Sequence, residues 1–373
     1  MDRFQSLKAV KIMCFKVRPW TAAIVALATF VLAQAAAAQN AYIPNRGADT
    51  VSVIDTRTNS LIGAVTVGLS PSAAAATPDG ARVYIVNESS NTVSVINTAT
   101  NTVVDTIAVG AGANGIAASP DGNRIYTANT ADGTVSVIDR ATSSVIATVA
   151  VGANPLDLAV SRNGARVYVA NNTSPGNVTV IDTATNNVVA NVAAGGYPTG
   201  VAVSPDSARV YVTNITSNDV SVIDAATNTV ASTFAVGGGP YGIALSPSGA
   251  RIYVARYNVN TVSVFNAATG ALVATIGVGA NPTGIGVSRD GAYAYVSNYS
   301  ANSVSIIDTA TNTVVDTVTV GLNPNAFGDF IAPMPVPVPV PVPTLSEWAM
   351  ILMGLMLAGG AAVVVVQRRR MEG

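Results

Sequence analysis

The chain is 373 residues long, enough for two or three ordinary domains, and only 10% of it is charged, against roughly 25% in typical soluble domains. Its net charge of −1 hides an uneven spread: all three lysines (Lys8, Lys11, Lys16) sit near the start, while Gln39 to Ile331 holds 11 Arg against 17 Asp and Glu, a net of −6. A mildly acidic, lysine-free body lacks the electrostatic footprint of a nucleic-acid binder, and a chain with no His and a single cysteine, Cys14, can form neither Ser-His-Asp or Cys-His triads nor an internal disulfide.

The first segment carries Arg3, Lys8, Lys11, Lys16 and Arg18, then an apolar run from Ala22 to Ala33, then AQAAAAQN. A basic start, a short apolar stretch and a small-residue site form the pattern of a secretory signal peptide over residues 1–38, with cleavage after Ala38. The apolar run is short for a membrane span, which needs roughly 20 residues. No cysteine follows the site, so lipid attachment there is not expected.

From Ala41 onward the sequence repeats. Tyr42, Tyr84, Tyr126, Tyr168, Tyr211, Tyr253 and Tyr295 are spaced 42, 42, 42, 43, 42 and 42 residues apart, and a VSVID-like segment keeps step behind each. Each of the seven units reads as four short strands: GIALS-like, VYVTN-like, VSVID-like and VVATVAVG-like. Ser119-Pro120-Asp121-Gly122 places favoured residues at every position of a type I turn between the first two strands. Ser161–Gly164 and Ser288–Gly291 put Arg where the other copies have proline, which such a turn tolerates. Units of about 42 residues holding four strands predict an all-β, seven-bladed β-propeller over 39–331, because a lone blade cannot bury both faces and neighbours must pack around a channel. The chain starts on the second strand type and ends at Asn323–Ile331, where the missing innermost strand would fall. The ring is therefore expected to close with both ends of the domain sharing one blade.

These residues resemble the YVTN-type β-propeller repeat family, whose tetrapeptide stands unaltered at Tyr211-Val212-Thr213-Asn214 and varied as YIPN, YIVN, YTAN, YVAN, YVAR and YVSN in the other copies. The resemblance implies a propeller of the kind found in bacterial exported proteins and archaeal surface-layer proteins, and implies no particular reaction.

Repeated Asp residues occur singly at turns and read as backbone caps, not as a calcium loop. No catalytic residue, metal ligand or cofactor is expected. A ligand site should lie where blades differ, near the channel mouth, and the departures from the repeat give Arg46, Asp157, Tyr197, Tyr241 and Arg256 as candidates for a polar, aromatic-rimmed pocket.

After residue 331 the composition changes. Residues 332–343 form a proline-rich spacer suited to polyproline II. Residues 344–373 hold Thr344-Leu345-Ser346-Glu347-Trp348, an uncharged run from Ala349 to Val366 long enough for a membrane helix, and Arg368-Arg369-Arg370, which the positive-inside rule places in the cytoplasm. This tail resembles the IPTL-type C-terminal sorting signal of Gram-negative bacteria: Pro343, Thr344, Leu345 and Trp348 match, while Val342 and Ala349 replace Ile and Gly. The resemblance implies an exosortase-like processing protease as partner and display at the cell surface; a retained tail would instead anchor the protein in the inner membrane facing the periplasm. The expected function is that of a surface-displayed binding or structural propeller whose partner is an extracellular polysaccharide or envelope protein. The alternatives are a lactonase-like hydrolase with a metal at the channel mouth and a propeller binding single-stranded nucleic acid.

Overall fold

A computed structural model describes residues 39–333; the expected signal peptide, most of the proline-rich spacer, the expected membrane run and the sorting segment lie outside the described residues. Seven four-stranded antiparallel sheets follow one another around a ring, each built as the repeat predicts. In the fifth blade the strands are Pro198–Val203, Arg209–Asn214, Asp219–Asp224 and Thr229–Ala235, running from the channel outward.

The burial of each strand follows from its place in the stack. The VSVID-like strands are buried at every interior position, as in Thr92–Asn97, because a blade is covered on both faces. Six of the seven outermost strands keep one buried apolar residue, as in Thr102–Ala108, and Thr229–Ala235 keeps Phe234 half-buried. The seven repeat tyrosines are at most 2% exposed. They stitch neighbouring blades: the Tyr42 hydroxyl donates to Asn101 Oδ1 at 2.7 Å, and Tyr295 donates to Asn59 Oδ1 at 3.1 Å. The asparagine that closes six of the seven VYVTN-like strands is a second spoke. Asn214 Nδ2 donates to Ser221 Oγ at 2.9 Å, and a Cβ on Gly195 would meet Asn214 Cγ at 2.6 Å, so this junction position needs glycine.

The ring closes within the first blade, where Ile331–Ala332 pairs with Asn40–Asn45 and completes its sheet. The closing segment completes the blade as expected, though not as one unbroken strand. The segment pairs at Asn45↔Pro324 and again at Ala41↔Ile331, so seven steps stand against four; in the fourth blade, Pro155 to Val160 takes five steps against the four from Asn171 to Val167. Two extra residues therefore leave the sheet and swing into the channel. There Phe327 O accepts the Ala74 N–H at 3.0 Å and Asp329 O accepts the Ala76 N–H at 2.9 Å, so the segment pairs with the second blade instead. Gly328 makes this possible: its φ is +81°, and a Cβ would lie 2.7 Å from the carbonyl oxygens of both Ala74 and Ile116. All seven sheets are completed between Asn40 and Ala332, so the ring is a self-contained folding unit.

Candidate functional site

The channel has two unlike ends. At the junction end the chain enters each innermost strand from the preceding blade; at the turn end that strand reverses into the VYVTN-like strand. Asn40 and Ala332 both lie at the turn end, so the chain enters and leaves the ring there.

At the turn end, the Ser-Pro-Asp-Gly turns form as expected, with the Gly122 N–H donating to Ser119 O at 2.8 Å and the Asp121 carboxylate capping the turn. The two variant turns keep this geometry, the Gly164 and Gly291 N–H groups donating to Ser161 and Ser288 at 2.8 Å. The proline position is thus free to carry an exposed Arg162 and an exposed Arg289, both of which line a channel cavity of about 440 Å³. The ion pairs among the described residues are made by Arg46, Arg57, Arg140 and Arg166, not by these two arginines. Asp329, carried inward on the closing segment, lines the same mouth. Enclosure in the channel pushes its carboxyl up although its surface is open to the lumen, and Arg162 and Arg289 pull it back down.

Ala118, Val160, Val203 and Val287 line the cavity together with an at least equal area of polar surface, and Phe327 and Asp157 line it too. Asp157 occupies a ring position held by Gly115, Gly200, Gly242 and Gly284 in four other blades. A Cβ at those glycines would strike the backbone of the next blade, 2.6 Å from Leu156 O at Gly115 and 2.2 Å from Thr283 O at Gly242. Here the side chain fits because Asp157 Oδ2 accepts the Val201 N–H of the fifth blade at 3.0 Å. Asp157 is 5% exposed, its Oδ1 has no hydrogen-bond partner, and burial pushes its carboxyl up to about 7.

At the junction end, the residue after each VYVTN-like strand forms a half-buried ring: Arg46, Glu88, Thr130, Asn172, Ile215, Tyr257 and Tyr299. Arg46 and Glu88 pair at 2.7 Å. Tyr241 stands inside this ring, 5.6 Å from the Tyr257 ring and 5.3 Å from Phe327. Burial pushes its hydroxyl up to about 12, with the Arg46 charge opposing and Tyr257, Glu88 and Tyr299 reinforcing. The Phe327–Tyr241–Tyr257 stack runs from the cavity to this mouth, and the cavity lining includes neither tyrosine.

Of the five sequence candidates, Arg46, Asp157 and Tyr241 therefore face the channel, the first and third at one end and Asp157 deep on the other side of the stack. Arg256 does not line the cavity. It stands in the place of the spoke asparagine and donates from Nη1 to Ser263 Oγ at 3.2 Å, as Asn214 does to Ser221. Tyr197 is 42% exposed in the junction before the fifth blade, with φ +52°, a left-handed position shared by Asn154, Asn281 and Asn323. Sequence reasoning passed over Arg162 and Arg289, visible as two lost prolines, and Phe327 and Asp329, whose placement depends on the two surplus residues.

Residues 340–370 match the IPTL-CTERM motif, and residues 83–212 match the Cytochrome D1 heme domain. No curated protein matches the chain in sequence. Among solved structures, hydrazine synthase of Kuenenia stuttgartiensis is similar at 26% identity and a TM-score of 0.68, over 72% of this chain and 92% of that one. A functionally unknown protein from Desulfotomaculum acetoxidans DSM 771 is similar in fold, at 17% identity and a TM-score of 0.67, over 78% of this chain and 99% of that one. The chain is thus a seven-bladed β-propeller with a C-terminal sorting motif, which marks it as exported. A haem does not fit this channel. Residues 39–333 contain no His, Cys or Met to hold the iron, and the tyrosine beside the cavity, Tyr241, is held as the neutral phenol.

Proposed function

We propose that the protein is a surface-displayed binding propeller that holds an extracellular polysaccharide at the tyrosine-rimmed junction end of its channel. The observation that carries this reading is the half-buried set of Tyr241, Tyr257, Tyr299, Arg46 and Glu88 at the one mouth from which no chain leaves the ring. Tyrosine offers an apolar ring face with a polar tip, the combination that stacks on a sugar and hydrogen-bonds its hydroxyls at small entropic cost.

Display follows from the tail. A signal peptide over 1–38 sends the ring outward, Ala349–Val366 spans the membrane, and Arg368-Arg369-Arg370 stays in the cytoplasm until an exosortase-like protease removes the segment at Pro343-Thr344-Leu345. A metal-dependent hydrolase at the mouth would need converging oxygen ligands, and among the described residues no three His, Cys, Asp or Glu side chains come together, which supports binding over hydrolysis. The test is a glycan and envelope-protein binding screen with residues 39–333. A polysaccharide ligand lost in a Tyr257→Ala/Tyr299→Ala double variant supports the reading; a ligand indifferent to both substitutions, or one that is a protein alone, overturns it.

A further inference from the structure

The cavity at the turn end is divided from the tyrosine-rimmed mouth by the Phe327–Tyr241 stack, so it is a separate place from the proposed polysaccharide site. Many of its lining side chains are alanine, valine, leucine or isoleucine, yet at least half of its surface is polar, and the innermost strands bring backbone groups to it. Strand geometry fixes which ones. The Ser246 N–H donates to Arg251 O at 2.9 Å, within the sheet, and alternate residues of a strand aim their backbone groups at opposite edges. Leu245 and Ile243 therefore aim theirs at the channel, and both line the cavity. The corresponding residues of the second blade, Ala76 and Ala74, show what such an edge accepts. Their N–H groups donate to Asp329 O at 2.9 Å and Phe327 O at 3.0 Å, and Phe327 pairs parallel with Ala73. The chain's own closing segment is a strand added to a lumenal edge.

Most other edges are engaged. The Val201 N–H of the fifth blade and the Leu158 N–H of the fourth both bond the Asp157 carboxylate. Ile116 O of the third faces Gly328, and Ala326 O would lie 1.8 Å from a Cβ on Gly284 of the seventh, so the closing segment runs against both. The edge at Ile243 and Leu245 of the sixth blade is left open. It lies between the fourth and seventh blades, which carry Arg162 and Arg289. Among the described residues these two arginines form no ion pair, and the charge of each reaches Asp329. Two guanidinium groups beside one carboxyl leave this opening net positive.

From these features we infer that the turn-end cavity binds the C-terminal end of a short extended peptide, added as a parallel strand along Ile243 and Leu245, with its carboxylate toward Arg162 and Arg289. In the register of the closing segment, a peptide carbonyl accepts the Ile243 N–H. The last residue donates its N–H to Ile243 O, and its terminal carboxylate accepts the Leu245 N–H. Innermost strands run from the junction end to the turn end, so parallel addition carries the peptide's C-terminus to the arginines. There the guanidinium fork matches a carboxylate. Main-chain bonds of this kind hold a strand with little demand on its side chains. The volume of about 440 Å³ suits about three residues, which span about 10 Å at the rise of a strand, and excludes a folded partner.

The site is independent of polymer binding at the other end, and the experiment keeps the two apart. Residues 39–333 are titrated calorimetrically with three probes: an N-acetylated Ala-Val-Ala tripeptide, the same peptide amidated at its C-terminus, and an analogue with an ester oxygen in place of the last peptide N–H. The free acid is expected to bind one per ring. The amide should bind at least about tenfold more weakly, having lost the charge-assisted contact. The ester should bind about fivefold more weakly, having lost the donor to Ile243 O. Arg162→Gln/Arg289→Gln should bring the free acid down to the affinity of the amide while leaving polysaccharide binding intact, and Tyr257→Ala/Tyr299→Ala should leave the peptide unaffected. The comparisons among the three probes use the unmutated protein, so they stand even where a variant fails to fold. Equal affinity for acid and amide, or no binding of the acid at millimolar concentration, would overturn the assignment. So would an ester as tight as the peptide, which would mean a carboxylate held without strand addition.

Discussion

Asp157 Oδ2 accepts the Val201 N–H at 3.0 Å, tying the innermost strands of the fourth and fifth blades at a ring position where four other blades carry glycine. The same carboxylate leaves Oδ1 without a partner and shifts its ionisation by burial more than the two backbone N–H groups, from Val201 and Leu158, restore. That carboxylate costs the fold something, in a position where four other blades carry no side chain.

The cost can be measured through pH. Folded Asp157 holds its proton to about 7, while the unfolded chain releases it near 3.8. The folded state therefore binds more protons in that window, and stability should fall as pH rises from about 4 to about 7, levelling off above. The shift corresponds to about 4 kcal/mol if fully realised. The turn aspartates Asp79, Asp121, Asp206 and Asp290 act the other way, their carboxyls lowered by hydrogen bonds within the turn, and their contribution is lost only on acidification below about 4. Comparing denaturant unfolding of wild type and Asp157→Asn between pH 4 and 8 isolates the effect. Asp157→Asn should remove Asp157's share of the slope and leave that of Asp329, whose carboxyl is pushed up as well; an unchanged slope would assign it all elsewhere.

Phe327 is the buried end of the aromatic stack and packs with Ala73, Ile116 and Tyr84. Phe327→Ala should lower stability by about 3–5 kcal/mol in chemical denaturation and, by opening the divide, join the two ends of the channel. Access of a small solvent-borne quencher to the tyrosines should then increase. A variant as stable and as closed as wild type would show that the stack neither supports nor seals the ring.

Gly328→Ala probes the surplus residues directly. The left-handed φ of +81° and the two carbonyl oxygens 2.7 Å from the new Cβ leave no room for alanine. The expected loss is about 1–3 kcal/mol, read as a lower melting temperature. Removing residues 323–333 altogether should open the first blade, leave the Asn40–Asn45 strand edge unpaired and cause aggregation, seen as a shift in light scattering.

How far the sequence reveals this molecule depends on which residues the repeat constrains. The tyrosine period and the Ser-Pro-Asp-Gly turns give blade number, strand order and the shared blade, because each residue is demanded by a local geometry repeated seven times. The closing segment was legible as to place and not as to path: Pro324 and Ile331 sit where a strand should, but the surplus appears only when pairing is counted against Asn45 and Ala41. Asp157 and Tyr241 stand out in an alignment of the blades and do reach the channel. Arg256 stands out equally and does not, since a long side chain can imitate the asparagine spoke. Arg162 and Arg289 were hidden by a turn that accepts them without distortion.

That reading of Arg256 is itself open to test. The other six blades end the VYVTN-like strand in asparagine, and in five of these the Nδ2 bonds a serine on the neighbouring strand, as Asn298 does with Ser305 at 2.9 Å. Arg256 makes longer bonds, 3.2 Å to Ser263 Oγ and 3.4 Å to Val236 O, and leaves Nε buried without an acceptor. An unmet buried donor on a charged group is unfavourable, so Arg256→Asn should leave stability unchanged or raise it by about 1 kcal/mol. Room for asparagine exists because Gly237 stands where Gly195 faces Asn214, and a Cβ there would meet nothing within 4 Å. Polysaccharide binding at the junction end should be unaffected. If Arg256→Asn abolishes binding of the polysaccharide while the melting temperature holds, Arg256 is a ligand residue after all, and the junction-end site extends outward along the sixth blade.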